Sequence, residues 1–429
     1  MNTIRRVAIV GANRIPFARS NSAYAHASNH DMMSATLQGL VDRHDLHGQR
    51  LGDVAAGAVM KHARDFNLVR ECVLSTTLSR QTPAFDLQQA CGTGLEAAML
   101  VAHKIALGEI ECGIAGGVDT TSDAPIALNE KMRKILLDLA RAKSPAQRLA
   151  QALRLRPSML VRPALPRNGE PRTGLSMGEH AELTAQEWGI SREAQDELAL
   201  RSHHNLARAY ADGFFNDLMT PFKGLTQDNN LRADLSLDKL RALKPVFDRK
   251  VAAGRGTLTA GNSTPLTDGA SAVLLASEAW AAERNLPVLA YLRWSEVAAV
   301  DFFEQKEGLL MAPAYAVPRM LARAQLSLQD FDFYEIHEAF AAQVLCTLKA
   351  WEDPQFCQQR LGLAQPLGPI DVAKLNVYGS SLAAGHPFAA TGGRILATLA
   401  KLLARKGSGR GLISICAAGG QGVVAIVER

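Results

Sequence analysis

Twice along this 429-residue chain, a short turn bearing a reactive side chain opens an apolar helix-like stretch and is followed by a strand-like segment ending in glycines. The first copy runs from Cys91 to Gly117 and the second from His386 to Gly420. An echo of this length implies two related halves, each built from the same supersecondary unit. The chain length agrees, since 429 residues exceed what one hydrophobic core usually holds.

Strand-like and helix-like stretches alternate around both copies. Arg6–Ala12 reads as a strand, Leu37–Arg43 as a helix, Ala55–Met60 as a strand and Asn67–Leu78 as a helix. A short strand at Ala84–Gln89, a long apolar helix at Gly94–Leu107 and a strand at Cys112–Gly116 follow. Near the other end come a strand at Phe333–Ile336, a helix at Thr391–Leu403 and strands at Leu412–Cys416 and Val423–Val427. Alternation of this kind implies an α/β fold with a mostly parallel sheet. From 121 to 250 the pattern turns basic and amphipathic, broken by Pro163, Pro166, Gly169 and Pro171, and reads as an inserted helix-rich domain. Strand-like segments return at Thr257–Thr259 and Ala270–Ala276. The expected organisation is therefore a first half at 1–120 plus 251–285, an insert at 121–250 and a second half at 286–429.

The formal net charge of +5 is unevenly placed: residues 131–172 hold eleven Lys/Arg against Asp138 and Glu170. Met132, Ile135, Leu136, Leu139, Leu149 and Leu153 recur there at helical spacing, so this segment is expected to contact a partner enzyme or anionic lipid, with a plain solvated helix as the bland alternative. No apolar run approaches the roughly 18–20 residues of a membrane span, and Val7–Ala12 is too short for a signal-peptide core. The expected location is cytoplasmic. The six cysteines form no C-x-x-C pair, so a zinc ribbon or disulfide framework is not expected.

Four turns carry side chains that chemistry can use. In Gln88-Gln89-Ala90-Cys91-Gly92-Thr93-Gly94 the cysteine precedes a helix, whose unpaired N–H groups and dipole favour a thiolate nucleophile. Gly92 and Gly94 clear side chains from around it, as an approaching substrate needs. Gly385-His386-Pro387 presents an imidazole suited to acid–base work near neutral pH. Cys416 ends a strand and enters Ala417-Ala418-Gly419-Gly420, a small-residue turn whose N–H groups can face an oxyanion. His337-Glu338-Ala339-Phe340 places a second imidazole at the end of a strand. Taken singly, each has a structural reading: a buried cysteine, a helix-start histidine, a core cysteine and a cap cluster.

Together and in this order, these turns resemble the thiolase family, which carries C-x-x-G, N-E-A-F or H-E-A-F, G-H-P and C-x-x-G-G turns. The resemblance extends through Arg14-Ile15-Pro16-Phe17, Ser176-Met177-Gly178 and Thr259-Ala260-Gly261-Asn262. It implies a thiolase fold of two pseudo-duplicated mixed-sheet α/β halves in five layers, with the insert as loop domain. It further implies that Cys91 is acylated, that His386 deprotonates Cys91 and coenzyme A, that Cys416 exchanges the proton at the acetyl carbon, and that His337 helps hold the thioester oxygen. The backbone N–H groups of Cys91 and Ala418 would form a second oxyanion hole. Met177, Thr264 and Phe340, inside the matching motifs, are expected to bind substrate, and Arg232 is the first choice for the anionic end of coenzyme A.

His337 in place of the usual Asn, Thr264-Pro265 in place of Ser-Gly, and Asp119-Thr120-Thr121 are similar to the thiolase subunit of trifunctional fatty-acid oxidation complexes. Ala417-Ala418 also departs from the commoner glycine-rich pair. His337 resembles the sterol-carrier type as well, but Glu338-Ala339-Phe340 does not. The activity implied is 3-ketoacyl-CoA thiolysis, with biosynthetic acetoacetyl-CoA formation as the rival and an acyl-CoA-binding scaffold as the alternative of another class. No bound metal or other cofactor is expected, and coenzyme A enters as cosubstrate; the resemblance also implies at least a homodimer and a hydratase/dehydrogenase partner.

Overall fold

The computed structural model describes residues 4–160, 162–167 and 169–429, so Val161 and Asn168 of the basic segment lie outside the described residues. Ten strands alternate with helices: β1 (Val7–Arg14), β2 (Ala18–Arg19), β3 (Asp53–Ala56), β4 (Ala84–Asp86), β5 (Cys112–Asp119), β6 (Thr267–Ser277), β7 (Ala290–Ala299), β8 (Phe333–Ile336), β9 (Arg410–Ala417) and β10 (Gln421–Glu428). They hydrogen-bond in the order β4-β3-β5-β6-β1-β7-β10-β9-β8, with β2 on β6. The first five come from residues before 278 and the last four from residues after 289, and β1 and β7 join the sets edge to edge.

The sheet is mixed rather than mostly parallel. Pairs β3/β4, β3/β5 and β8/β9 are parallel, while β6 runs antiparallel between β5 and β1, and β10 antiparallel between β7 and β9. Helix–strand alternation predicts the crossovers correctly but cannot register β6, which returns after the long insert. Strands β1, β5 and β6 are buried along their whole length, as expected for strands covered on both faces.

Two helices form the middle layer. Thr93–Ala106, which follows Cys91, buries Leu95, Ala97, Ala98, Met99, Val101, Ala102 and Ile105, and Thr391–Lys406, which follows His386, is buried from Thr391 to Leu403. Both pack into one cluster with side chains from β1, β5, β6, β9 and β10. The Asn29–Arg43 helix covers the outer face of the first strand set, and Ala312–Ala324 covers that of the second. Helix, sheet, helix, sheet and helix give five layers.

The segment 121–250 carries helices at Glu130–Arg141, Pro145–Ala152, Met177–Glu187 and Arg192–Ala211, and no strand among the described residues. It is tied to the body by Arg14, whose two Nη atoms bond the Asp228 carboxylate at 2.6 and 2.7 Å; Asp228 also accepts from Phe17 N–H and the Tyr210 hydroxyl. Two local expectations change. The first helix begins at Asn29 rather than near Leu37, because Ser28 and Asp31 form a capping box. Thr257–Thr259 is not a strand: it holds one isolated bridge, Thr259 to Pro245, and its N–H groups turn to Glu182 and Asn262.

Candidate active site

Cys91 sits at the end of a strained turn. Ala90 takes φ +47°, a left-handed value that costs a non-glycine residue free energy. Thr93 holds the turn by accepting from Gln89 N–H at 2.9 Å and donating to the Ala90 carbonyl at 2.7 Å. The sulfur is thereby presented to His386, whose Nε2 lies 3.0 Å from Sγ. His386 is fixed in turn through its other nitrogen, 2.6 Å from the buried Thr391 hydroxyl, and its own N–H donates to Thr267 Oγ1 at 2.7 Å.

The approach of these two turns depends on missing side chains. A Cβ on Gly94 would lie 2.6 Å from the Ala389 carbonyl oxygen and 2.9 Å from Gly393 N, and one on Gly92 would meet Val423 at 2.5 Å. These glycines therefore admit protein rather than substrate, which revises the expectation drawn from sequence. Gly94 lets the two central helices meet backbone to backbone, and Gly92 makes room for the Val423 side chain of β10.

Cys91, His386, Cys416 and Ala418 line one cleft with Met177, Thr264, Pro265, Leu266, Leu310, Ala339, Phe340 and Phe388. Cys416, 4 % exposed, comes from the end of β9, and the Ala418 N–H in the following turn is directed at the Cys91 thiol. Thr264 is held by a bond from its hydroxyl to the Ser381 carbonyl. His337 stands one layer back, its ring centroid 4.2 Å from that of His386, and Nδ1 is 2.8 Å from Ser381 Oγ. A ring nitrogen of His337, one of His386 and Cys91 Sγ all fall within 4.8 Å of one another. That cluster is the one group of metal-ligand type among the described residues, and the same closeness suits proton traffic between sulfur and imidazole.

Burial governs the ionisation. It pushes the Cys91 thiol up to about 12, against the opposing Ala418 N–H, and pushes Cys416 up as well. It brings the His386 imidazole down to about 3, with the Arg394 charge adding to the effect. His337 is held well below its ordinary value by burial, then by His386 and Arg394. The resting pair is thus a neutral thiol against a neutral imidazole. Desolvation outweighs the helix start at rest, so the thiolate nucleophile forms when His386 takes the proton.

Arg232 is not brought to the cleft: it is exposed, and its Nη1 donates to the carbonyls of Asn229, Asn230 and Leu231 in its own loop. Sequence reasoning missed Thr391, Ser381 and Asp119. Asp119, fully buried, accepts from Val59, Met60 and Ala389 N–H groups and so anchors the His386 turn to the first half. Its place at the end of β5, beside the Ala115-Gly116-Gly117 run, was the available signal. It also missed Glu170, whose Oε1 accepts from Gly419 N–H at 2.7 Å in the turn after Cys416.

A strand-bordered cysteine, an imidazole at bonding distance and a second cysteine across the same cleft define an acyl-transfer site on a duplicated five-layer fold. The chain belongs to the thiolase family: the thiolase N-terminal domain matches residues 7–279 and the thiolase C-terminal domain residues 286–429. It is 40% identical over 429 residues to a 3-ketoacyl-CoA thiolase of Yersinia enterocolitica, spanning 99% of this chain and 97% of that one; a 3-ketoacyl-CoA thiolase of Yersinia pseudotuberculosis matches to the same extent. Among solved structures, the Bacillus anthracis acetyl-CoA acetyltransferase superposes with a TM-score of 0.81 at 31% identity over 100% of both chains. Human mitochondrial 3-ketoacyl-CoA thiolase in complex with CoA superposes with 0.80 at 28% identity, over 100% of this chain and 99% of that chain.

Proposed function

We propose that the protein is a 3-ketoacyl-CoA thiolase acting in the degradative direction. The observation that carries this reading is the 3.0 Å approach of Cys91 Sγ to His386 Nε2 in a cleft that Cys416 also lines. His386 takes the Cys91 proton as sulfur attacks the 3-keto carbon, so thiolate forms only as it is consumed. Cleavage of the C2–C3 bond leaves an acyl group on Cys91 and an acetyl-CoA enolate, which Cys416 protonates at carbon; the proton held on His386 then passes to the Cys416 thiolate and restores both groups. His337 donates to the thioester oxygen of that enolate, and the N–H groups of Cys91 and Ala418 serve the oxyanion formed at the attacked carbonyl. Coenzyme A, deprotonated by His386, then removes the shortened acyl chain, and no permanently bound cofactor takes part. Met177, Thr264, Leu310 and Phe340 bind the acyl-CoA, their mostly apolar surface suiting a chain longer than acetyl.

The second part of the proposal concerns surroundings. Leu137, Leu149, Leu153 and Leu165 are exposed among the cations of 131–172, an arrangement that suits docking of a hydratase/dehydrogenase subunit, with an anionic lipid surface as the alternative occupant. The working form is a cytoplasmic homo-oligomer, at least a dimer. Among the described residues no helix is long and apolar enough to cross a membrane.

The test follows the enolate absorbance of acetoacetyl-CoA and of a long-chain 3-ketoacyl-CoA on adding coenzyme A, with Cys91→Ala alongside. Loss in the wild type alone, faster on the long chain, is expected. Turnover of acetoacetyl-CoA alone would favour the short-chain rival, and no turnover of either would refute the reading.

A further inference from the structure

His337 and His386 have the same ring but different neighbours. Behind His337 lies Arg394, 3 % exposed, on the first turn of the Thr391–Lys406 helix. Its Nη2 donates to Ser380 Oγ at 3.1 Å and to Ser381 Oγ at 3.0 Å, and Ser381 Oγ is 2.8 Å from His337 Nδ1. Glu335 and Glu338, both buried, lie close enough to the guanidinium to favour its charged form against burial, and burial pushes both carboxyls up.

We propose that Arg394 and Ser381 are positioning residues that lock His337 in the tautomer with its proton on Nε2, opposite to the tautomer of His386. The argument is one of donors and acceptors. A guanidinium only donates, so the Ser381 oxygen is already an acceptor. Its single hydroxyl proton has His337 Nδ1 as its one acceptor among the described hydrogen bonds. Were Nδ1 protonated instead, two donors would converge on Ser381 and its own proton would be stranded in a wholly buried place. Either tautomer leaves one buried donor without a protein partner, but protonation at Nδ1 also sets two donors against one oxygen and leaves Nε2 a bare lone pair, unable to donate into the cleft. Nδ1 therefore accepts, and the proton sits on Nε2, which has no partner among the described residues.

His386 is set the other way. To receive the Cys91 proton its Nε2 must carry the lone pair, which places hydrogen on Nδ1, toward Thr391 Oγ1. Two neighbouring neutral rings, tilted at 51° to each other, are thus built as a donor and an acceptor. The lock deepens the proposed function and rests on its assignment of His337 as donor to the thioester oxygen. No proton leaves His337 in that role: Nε2–H donates a hydrogen bond and keeps its hydrogen.

The test uses the whole enzyme without ligand, labelled with 15N-histidine, sedimented and read by magic-angle-spinning NMR, with His337 signals assigned by their absence in His337→Asn. The expected spectrum has His337 protonated at Nε2 and bare at Nδ1. In Ser381→Ala the His337 signals should move to the other tautomer or divide between the two. The kcat for thiolysis should fall at least about tenfold, with KM within about twofold, and Ser381→Thr should restore both readouts. A wild-type His337 protonated at Nδ1 overturns the lock, and so does an unchanged tautomer in Ser381→Ala. If that variant does not fold, Arg394→Lys, which withdraws the Nη2 contact, makes the same comparison. Because the spectra are taken without substrate, an inactive enzyme with the expected tautomer refutes the assigned reaction and spares the lock. An active enzyme with the wrong tautomer does the reverse.

Discussion

Replacing Thr391 by valine changes one hydroxyl to a methyl in a fully buried place and removes the oxygen 2.6 Å from His386 Nδ1. In the resting enzyme a neutral ring N–H loses its acceptor, which costs about 1–3 kcal/mol. When the ring takes the Cys91 proton that bond becomes charge-assisted and roughly twice as strong. Only the difference between the two states slows the reaction. A difference of about 1–2 kcal/mol corresponds to a fall in kcat of about 5- to 30-fold, at about 1.36 kcal/mol per decade. The enolate-absorbance assay should show this fall with KM for 3-ketoacyl-CoA little changed, while Thr391→Ser should stay near wild type. A folded Thr391→Val enzyme with kcat within about twofold of wild type would refute the role given to this bond.

The ionisation of Cys91 gives a second test: with the thiol pushed up to about 12 and His386 down to about 3, neither group titrates near neutrality. Difference spectra against Cys91→Ala should show no thiolate band between about pH 5 and 9, and a band titrating in that range would contradict the neutral pair. Gly94→Ala places a methyl 2.6 Å from the Ala389 carbonyl oxygen and should lower stability by about 1–3 kcal/mol in urea unfolding, with loss of turnover; an unchanged midpoint would refute the close helix contact. Asp228→Asn leaves the Arg14 guanidinium buried without its countercharge and should cost about 3–5 kcal/mol, read by the same unfolding curves. A loss below about 1 kcal/mol would mean that the pair does not fasten the insert.

The four reactive turns were legible in the sequence because each is a short run of glycine and small residues around one side chain of distinctive chemistry, and those turns converge. Both central helices were legible to within a few residues, since each carries a long run of apolar residues at helical spacing. What was not legible depends on residues far apart in the chain. Strand β6 is antiparallel because the chain returns to it after the insert, and no local pattern in Thr267–Ser277 records that. Strand β7, the seam between the halves, carries polar and apolar residues mixed at its partly exposed positions and gave no clear period. Arg232 was the first choice for the anionic end of coenzyme A by its position, and no local pattern records that its Nη1 donates to carbonyls of its own loop. The desolvation that raises the Cys91 thiol was not legible because it depends on the fold, while a helix start is visible locally.

The distance between sulfur and imidazole is set where Gly94 meets Ala389 and Gly393, main chain against main chain. Met177, Leu310 and Phe340 reach the same cleft from other segments and take no part in that contact. Under the proposed assignment, reactivity and chain-length preference are therefore carried by separate material. Exchanging these three side chains can reshape the space for the acyl tail while the reacting atoms keep their spacing, so substrate range is free to drift, or to be engineered, at a fixed chemical step.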